Sequence, residues 1–512
     1  MAAFLNLFYG HPNVDVSSFL GLVVLGAILY ISISASKPDL PLVNGLEKGE
    51  FRSQHARRRF VAHAQNLIRA GFTKSSNAFR IIGDSGYSII LSPRYAEELR
   101  DHHDLSFGKA VAKEFNAHLK GFEPFNVVGI DNQIFQDAVR MKLTQSLGRI
   151  CLPLSSETSL AFQANWTDDR GKFSELFLSV KIYAHQRGEW HEIELKPSLL
   201  KTVARLSSRV FLGEEICRNQ DWLRITVEYS VHSFLAAESL RIWPKMLRPI
   251  ASRLLPGCRQ VRAEMDEARR IITPVLEARR AENLQALRNS QTAKQYNDAM
   301  EWMEKSAKGR KYDPAVGQMA FSVAAIHTTS DMMTQLIYDL CGKDDLIKAL
   351  RDEVITVLSE DGLQRTSLYK LKLMDSTMKE SQRLKPMSIV SMRRVATSHI
   401  SLSDGTEIPK DTSIMISAHN MWDESVYPNA KEFDPYRFLR MRENPEREKF
   451  AHFVSPSVEH MGFGFGRHSC PGRFFAANEV KIALCHILLK YDFKLAEAER
   501  PEHEREEISL LS

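Results

Sequence analysis

Residues 463–476, FGFGRHSCPGRFFA, set one cysteine in a glycine-rich loop directly before a segment with helical periodicity. From 474 to 491 the apolar residues Phe475, Val480, Leu484, Ile487, Leu488 and Tyr491 recur at helical spacing, which predicts a helix behind the loop. Pro471 suits a first helical position, where a missing N–H costs nothing. Cys470 then sits at a helix N-terminus, where free N–H groups and the dipole favour an anion, here a thiolate. Gly464, Gly466 and Gly472 let the backbone pass close to something large and flat. A buried free cysteine beside a glycine turn is the plain reading of a lone cysteine. The glycines, the neighbouring basic residues and the helix start converge against it.

A thiolate so placed suits axial ligation of haem iron, which pushes electron density toward the metal and favours O–O cleavage. The stretch resembles the haem-binding signature of the cytochrome P-450 family, F-x-x-G-x-[R/H]-x-C-x-G, carried here by Phe463, Gly466, His468, Cys470 and Gly472. His468 stands where the family often has an arginine that pairs with a haem propionate, and GRHSCPGRFFA is similar to the fungal form of the signature.

Upstream, Glu380 and Arg383 are spaced i, i+3 and can pair on one helix face. Alone this reads as a surface ion pair of little worth. Lying about 90 residues before the cysteine and just ahead of Pro386, it is similar to the family's E-x-x-R motif. That resemblance implies a third partner, Arg437 of Phe433-Asp-Pro-Tyr-Arg437-Phe438, in a buried network that serves folding.

Residues 321–330, FSVAAIHTTS, lie in a long apolar pattern read as one helix crossing the core. Threonine hydroxyls can bond to the preceding turn and bend such a helix, and a bent, hydroxyl-lined groove suits O2 and a proton-relay water. The segment is similar to the family's oxygen-activation motif, [A/G]-G-x-[D/E]-T-[T/S], with Ala324, Ala325, His327, Thr328 and Thr329 on it and Thr328 in the key position. His327 replaces the acid and Ala325 the glycine. A histidine can relay protons; a satisfied core histidine is the alternative. The resemblance also implies propionate partners. Arg140, four residues after Gln136, is one candidate, with a solvated helix face as the other reading; Arg393 in SMRRVA is another. Phe321, Ala324, Ile389 and Val390 would line an apolar substrate pocket.

A hydrophobic content of 44% in 512 residues is ample for a large core, and a net charge of +5 argues against nucleic-acid binding. Six scattered cysteines without a CxxC argue against zinc and disulfide frameworks and fit a reducing compartment. Residues 16–34 carry no charge and as a helix would span roughly 28 Å, about one hydrocarbon core. A cleaved signal peptide would want a basic leader, and neither Lys nor Arg precedes Asp15. Lys37, Lys48, Arg52 and Arg57–Arg59 follow it, which places the body on the cytosolic side. The expectation is an anchor over 1–36, a proline-limited hinge at 37–41 and a catalytic domain over 37–512. Helices are expected over 260–286 and 346–359, and short strands at 79–82, 88–91, 400–402 and 413–417. The fold class is mainly α with small β-sheets, the cytochrome P-450 fold with a single N-terminal transmembrane helix.

The resemblance covers about residues 40–495 and implies a haem-thiolate monooxygenase. Its electrons would come from NADPH through a flavin-bearing, membrane-bound NADPH–cytochrome reductase, since the chain carries no dinucleotide fingerprint; cytochrome b5 is a further partner of that kind. Arg467 and Arg473 would help dock the reductase, and the endoplasmic reticulum is the expected membrane. AAIHTTSD, KESQRLKP and SMRRVA are similar to fungal enzymes of secondary metabolism of the ent-kaurene oxidase and indole-diterpene oxidase type. A terpenoid or meroterpenoid is the expected substrate, and a polyketide or polyketide-peptide hybrid the alternative. Rival readings are a reductase-independent isomerase or dehydratase and a haem-deficient product of a defective gene. The last draws on 171–187, which looks inserted and reads as a retained intron or a surface loop. It draws also on the charged stretch after Phe493, where the family has a hairpin beside the substrate pocket.

Overall fold

The computed structural model describes residues 40–50, 53–83, 85–129, 134–166, 179–184 and 190–496. The expected anchor lies outside these residues, as do 497–512, and among the described residues no helix is long and apolar enough to cross a membrane. The main helices are α1 (Gln54–Lys74), α2 (Thr144–Trp166), α3 (Leu195–Leu212), α4 (Gln220–Arg241), α5 (Pro256–Arg288), α6 (Pro314–Leu340), α7 (Asp344–Asp361), α8 (Lys372–Leu384) and α9 (Arg473–Lys490). The helices expected over 260–286 and 346–359 fall within α5 and α7.

Helix α6 starts where the sequence says a helix can. Pro314 takes the first position, and the Asp313 carboxylate accepts hydrogen bonds from the Ala315 and Val316 N–H groups. It is apolar nearly all round and is therefore buried on most sides. It runs as one helix to Leu340. The Thr328 hydroxyl donates to the Ala324 and Ala325 carbonyls without leaving the helical path. Helices α2, α3, α6 and α9 pack against one another and carry the main core.

The β-structure is peripheral. Strands β1 (Ala78–Gly83), β2 (Gly86–Leu91), β3 (Leu105–Ser106), β6 (Val390–Ala396) and β9 (Ser413–Ser417) form one sheet in the order β1-β2-β9-β6-β3. Strand β2 runs parallel to β9, and the other pairs are antiparallel. A two-stranded ribbon joins β7 (Ile400–Ser401) to β8 (Glu407–Ile408). The third sheet has the order β10-β4-β5, from β4 (Ser179–Ala184), β5 (Trp190–Glu194) and β10 (Tyr491–Leu495). Part of the segment read as an insertion is thus the middle strand of a sheet: Val180 and Ile182 turn into the core while both edges of β4 are paired. The remainder of 171–187 lies outside the described residues.

Candidate active site

The cysteine loop closes on itself. The Cys470 N–H donates to the Phe463 carbonyl at 2.8 Å, and the Ser469 N–H donates to the Gly466 carbonyl at 3.0 Å across a short 3-10 turn. Gly466 has φ +74°, and a Cβ there would lie 2.6 Å from the Arg100 carbonyl oxygen, so only glycine fits. Helix α9 begins at Arg473 with Gly472 as its cap, two residues later than Pro471 suggested. Cys470 is half-buried and opens onto a cavity. Burial pushes its thiol above the ordinary range, opposed by the Gly472 N–H, the Arg473 charge and the Arg473 N–H. The helix N-terminus therefore does aim donors at the sulfur.

The cavity, about 290 Å³ in volume, runs from Cys470, Phe463 and Gly472 to the middle of α6. Thr328, Thr329, Phe321 and Ala324 line it there. Ala324 and Thr328 keep exposed surface although they lie midway along a core helix, because they face this space. Its wall is aromatic: Phe321 packs on Phe135 at 4.6 Å and on Phe211 at 4.9 Å, and Phe211 packs on Phe475 at 5.5 Å. Phe135 and Phe211 were not singled out from sequence, and Phe475 only as part of the apolar face of α9, since apolar periodicity does not tell a core face from a cavity face.

His327 faces elsewhere. Its Nε2 donates to the Val227 carbonyl of α4 at 3.0 Å, and it does not line the cavity. The alternative of a core histidine satisfied by backbone fits this geometry. Ile389 and Val390 also miss the cavity: both belong to the apolar cluster of the five-stranded sheet with Ile68, Phe79, Ile81, Ile90 and Met415. The residues of that stretch that do line the cavity are Lys385, Pro386 and Met387.

Glu380, Arg383 and Arg437 come together as expected. Arg383 pairs with both carboxylate oxygens of Glu380 at 2.8 Å, and Arg437 Nε adds a contact at 3.1 Å. Glu380 and Arg383 are 0% exposed, and their remaining valences are met by backbone: the Asp434 N–H on Glu380, the Met421 and Ala430 carbonyls on Arg383.

A second group of cations behaves differently. Strand β6 carries a bulge between Ser391 and Arg394, with Met392 at φ +50°, which shifts the alternation by one residue. Arg393, expected as a propionate partner, is paired with Glu114, 3.1 Å away. Arg394 is buried instead. One of its nitrogens reaches the Arg393 carbonyl, its Nη2 has no hydrogen-bond partner, and burial draws its pKa down to about 10. Its guanidinium lies over the Phe107 ring, which also borders His468. Burial and the charges of Arg394, Arg467 and Arg140 hold His468 down at about 4, partly offset by Asp101. Arg140 lies in a π-helical segment, Ala138–Leu143, and donates to the Arg467 carbonyl of the cysteine loop.

These observations fit haem. The cavity has a sulfur with N–H donors behind it and a cleft free of side chains at Gly472. Beside the cysteine loop, across the Phe107 ring from His468, lies a buried guanidinium in want of an anion such as a carboxylate.

A cytochrome P450 sequence profile matches residues 178–512. The cytochrome P450 monooxygenase adrA of Penicillium rubens is 47% identical over 489 residues, covering 95% of this chain and 92% of the relative. The cytochrome P450 monooxygenase esdpI of Penicillium shearii is 46% identical, covering 90% and 87%. The cytochrome P450 monooxygenase trt6 of Aspergillus terreus is 43% identical, covering 90% and 89%. The chain belongs to the cytochrome P450 family, an oxygen-incorporating oxidoreductase whose cofactor is haem held by a thiolate and whose electrons arrive through a reductase.

Proposed function

We propose that this enzyme hydroxylates or oxidises a lipophilic intermediate, a terpenoid or meroterpenoid by preference, in fungal secondary-metabolite biosynthesis. The observation that carries this reading is the cavity that joins Cys470 to Thr328 beneath an aromatic wall. Haem supplies oxygen activation when bound. Cys470 would hold the iron, with its sulfur backed by the N-terminus of α9. Arg394, Arg140 and His468 would hold the carboxylates, Arg394 through the nitrogen that lacks a partner. The Thr328 hydroxyl donates into its own helix, so its oxygen is left to accept a hydrogen bond from the cavity side. Phe135, Phe211 and Phe321 exclude water and favour an apolar substrate.

We assign 16–34 to a membrane anchor of the endoplasmic reticulum with the domain facing the cytosol, close to the reductase and cytochrome b5. A separate feature supports a lipid-facing body. Ile242, Trp243, Met246, Leu247 and Ile250, between α4 and α5, are exposed and interleaved with Lys245 and Arg248.

The test is the reduced, carbon monoxide difference spectrum of the full chain beside that of Cys470→Ala. A red-shifted Soret band typical of thiolate ligation, lost in the variant, is the expected result. A band typical of a neutral ligand in the parent chain refutes the assignment of Cys470. Turnover with reductase of a terpenoid panel against a polyketide panel then decides the substrate class.

A further inference from the structure

Asp331 is an acid on the cavity wall and is 6% exposed. It follows Thr328 by three residues on α6, so the two share a helix face, and Met332 and Gln335 continue that stripe along the cavity. Its Oδ1 pairs with Lys196 Nζ at 3.0 Å, and Lys196 is 31% exposed. The pair therefore reaches from the cavity to the protein surface. Neither charge serves its own helix. A carboxylate midway along a core helix is costly unless paired, and Lys196 sits in the first turn of α3, where a cation opposes the dipole. His327 meanwhile stands where the sequence motif would place an acid, and it is committed to the Val227 carbonyl.

We propose that the Asp331–Lys196 pair is a proton inlet that carries solvent protons to the Thr328 side of the cavity, the task that His327 leaves undone. This rests on the haem-thiolate reading. A proton from solvent binds a carboxylate oxygen of Asp331. That O–H bond breaks as the proton passes to a water hydrogen-bonded to Thr328 Oγ1, and the carboxylate is protonated again from the Lys196 side. No electron moves on these residues; the electrons come from NADPH through the reductase and reduce O2. Without substrate, one NADPH and one proton reduce O2 to hydrogen peroxide, whereas two NADPH and two protons reduce it to two waters. Slower proton delivery favours the peroxide. Asp331 acts through water and Thr328 and is a positioning residue.

The experiment uses the haem-loaded full chain with reductase and no substrate, in parent, Asp331→Asn, Asp331→Glu and Lys196→Gln forms. In Asp331→Asn, NADPH oxidation is expected to fall on the order of a hundredfold, the low end of what general acid–base catalysis supplies. The ratio of NADPH to O2 consumed should move toward that of peroxide formation. Asp331→Glu restores most of both, and Lys196→Gln gives a smaller change of the same sign. The infrared C–O stretch of carbon monoxide bound to the reduced protein reads the cavity field without turnover, and it shifts in Asp331→Asn. A carboxylate that merely staples α6 to α3 would alter stability and leave the ratio and the band in place. That result overturns the proposal, as does a His327→Gln variant that alone reproduces the loss. If Asp331→Asn fails to load haem, Lys196→Gln decides: a parental ratio there also overturns it. A parent chain without the thiolate-type band fails the haem-thiolate reading instead.

Discussion

The Glu380–Arg383–Arg437 network and the Arg140–Arg394–His468 cluster each gather basic side chains around a buried arginine, and they differ in whether the chain supplies the anion. In the network, a carboxylate that is 0% exposed meets two guanidiniums, and backbone carbonyls take the remaining donors. In the cluster, Arg394 keeps a buried nitrogen without a partner, and neighbouring positive charges help hold His468 at about 4. A closed set of charges holds the fold; an open set marks where a ligand of opposite charge belongs.

The sharpest way to break the contrast is Glu380→Ala. It leaves two guanidiniums facing each other without an acid and should cost about 3–5 kcal/mol of stability, with or without haem, read by denaturant unfolding. Arg394→Met should behave in the opposite way. The haem-free protein is as stable as its parent or more so, while haem affinity falls roughly ten- to a hundredfold, in line with about 1.5–3 kcal/mol for a charged hydrogen bond. The same change at Arg393 removes only a partly exposed pair with Glu114 and should cost about 1 kcal/mol or less, without the haem effect. Equal haem loss in both variants would erase the distinction drawn from the bulge.

The smallest effect concerns acid. His468 has a folded pKa of about 4 against an ordinary 6.5, so between those values the unfolded chain binds the proton and the folded chain does not. Stability therefore rises with pH through that window and is lost as pH falls toward 4. His486, also held at about 4 by burial and Lys490, adds to the same slope from another part of the core. His468→Gln should flatten the haem-free curve in part, and bound carboxylates should flatten it further in the parent. A variant that leaves the slope untouched would remove His468 from the cluster.

How much of this was legible beforehand depended on distance along the chain. Strands β1, β2, β7 and β9, the long helices α5 and α7 and the loop-to-helix step at Cys470 were read from local pattern, because turn chemistry and periodicity act over a few residues. Strand β6 escaped notice because its bulge breaks the alternation by which strands are recognised. The aromatic wall escaped because Phe135, Phe211 and Phe475 are far apart in sequence and meet only when the helices pack.

What the sequence determined by itself was the family's chemistry: a cysteine at a helix N-terminus, an acid and a base one helical turn apart, and threonines in an apolar helix. These arise from spacings that the backbone geometry converts directly into neighbours. Which of two adjacent arginines is buried without an anion and which pairs with Glu114, and whether His327 or Asp331 faces the cavity, was decided only by tertiary structure. One extra residue in a strand reverses the faces of those after it, and a helix shows its cavity side only once its neighbours cover the others.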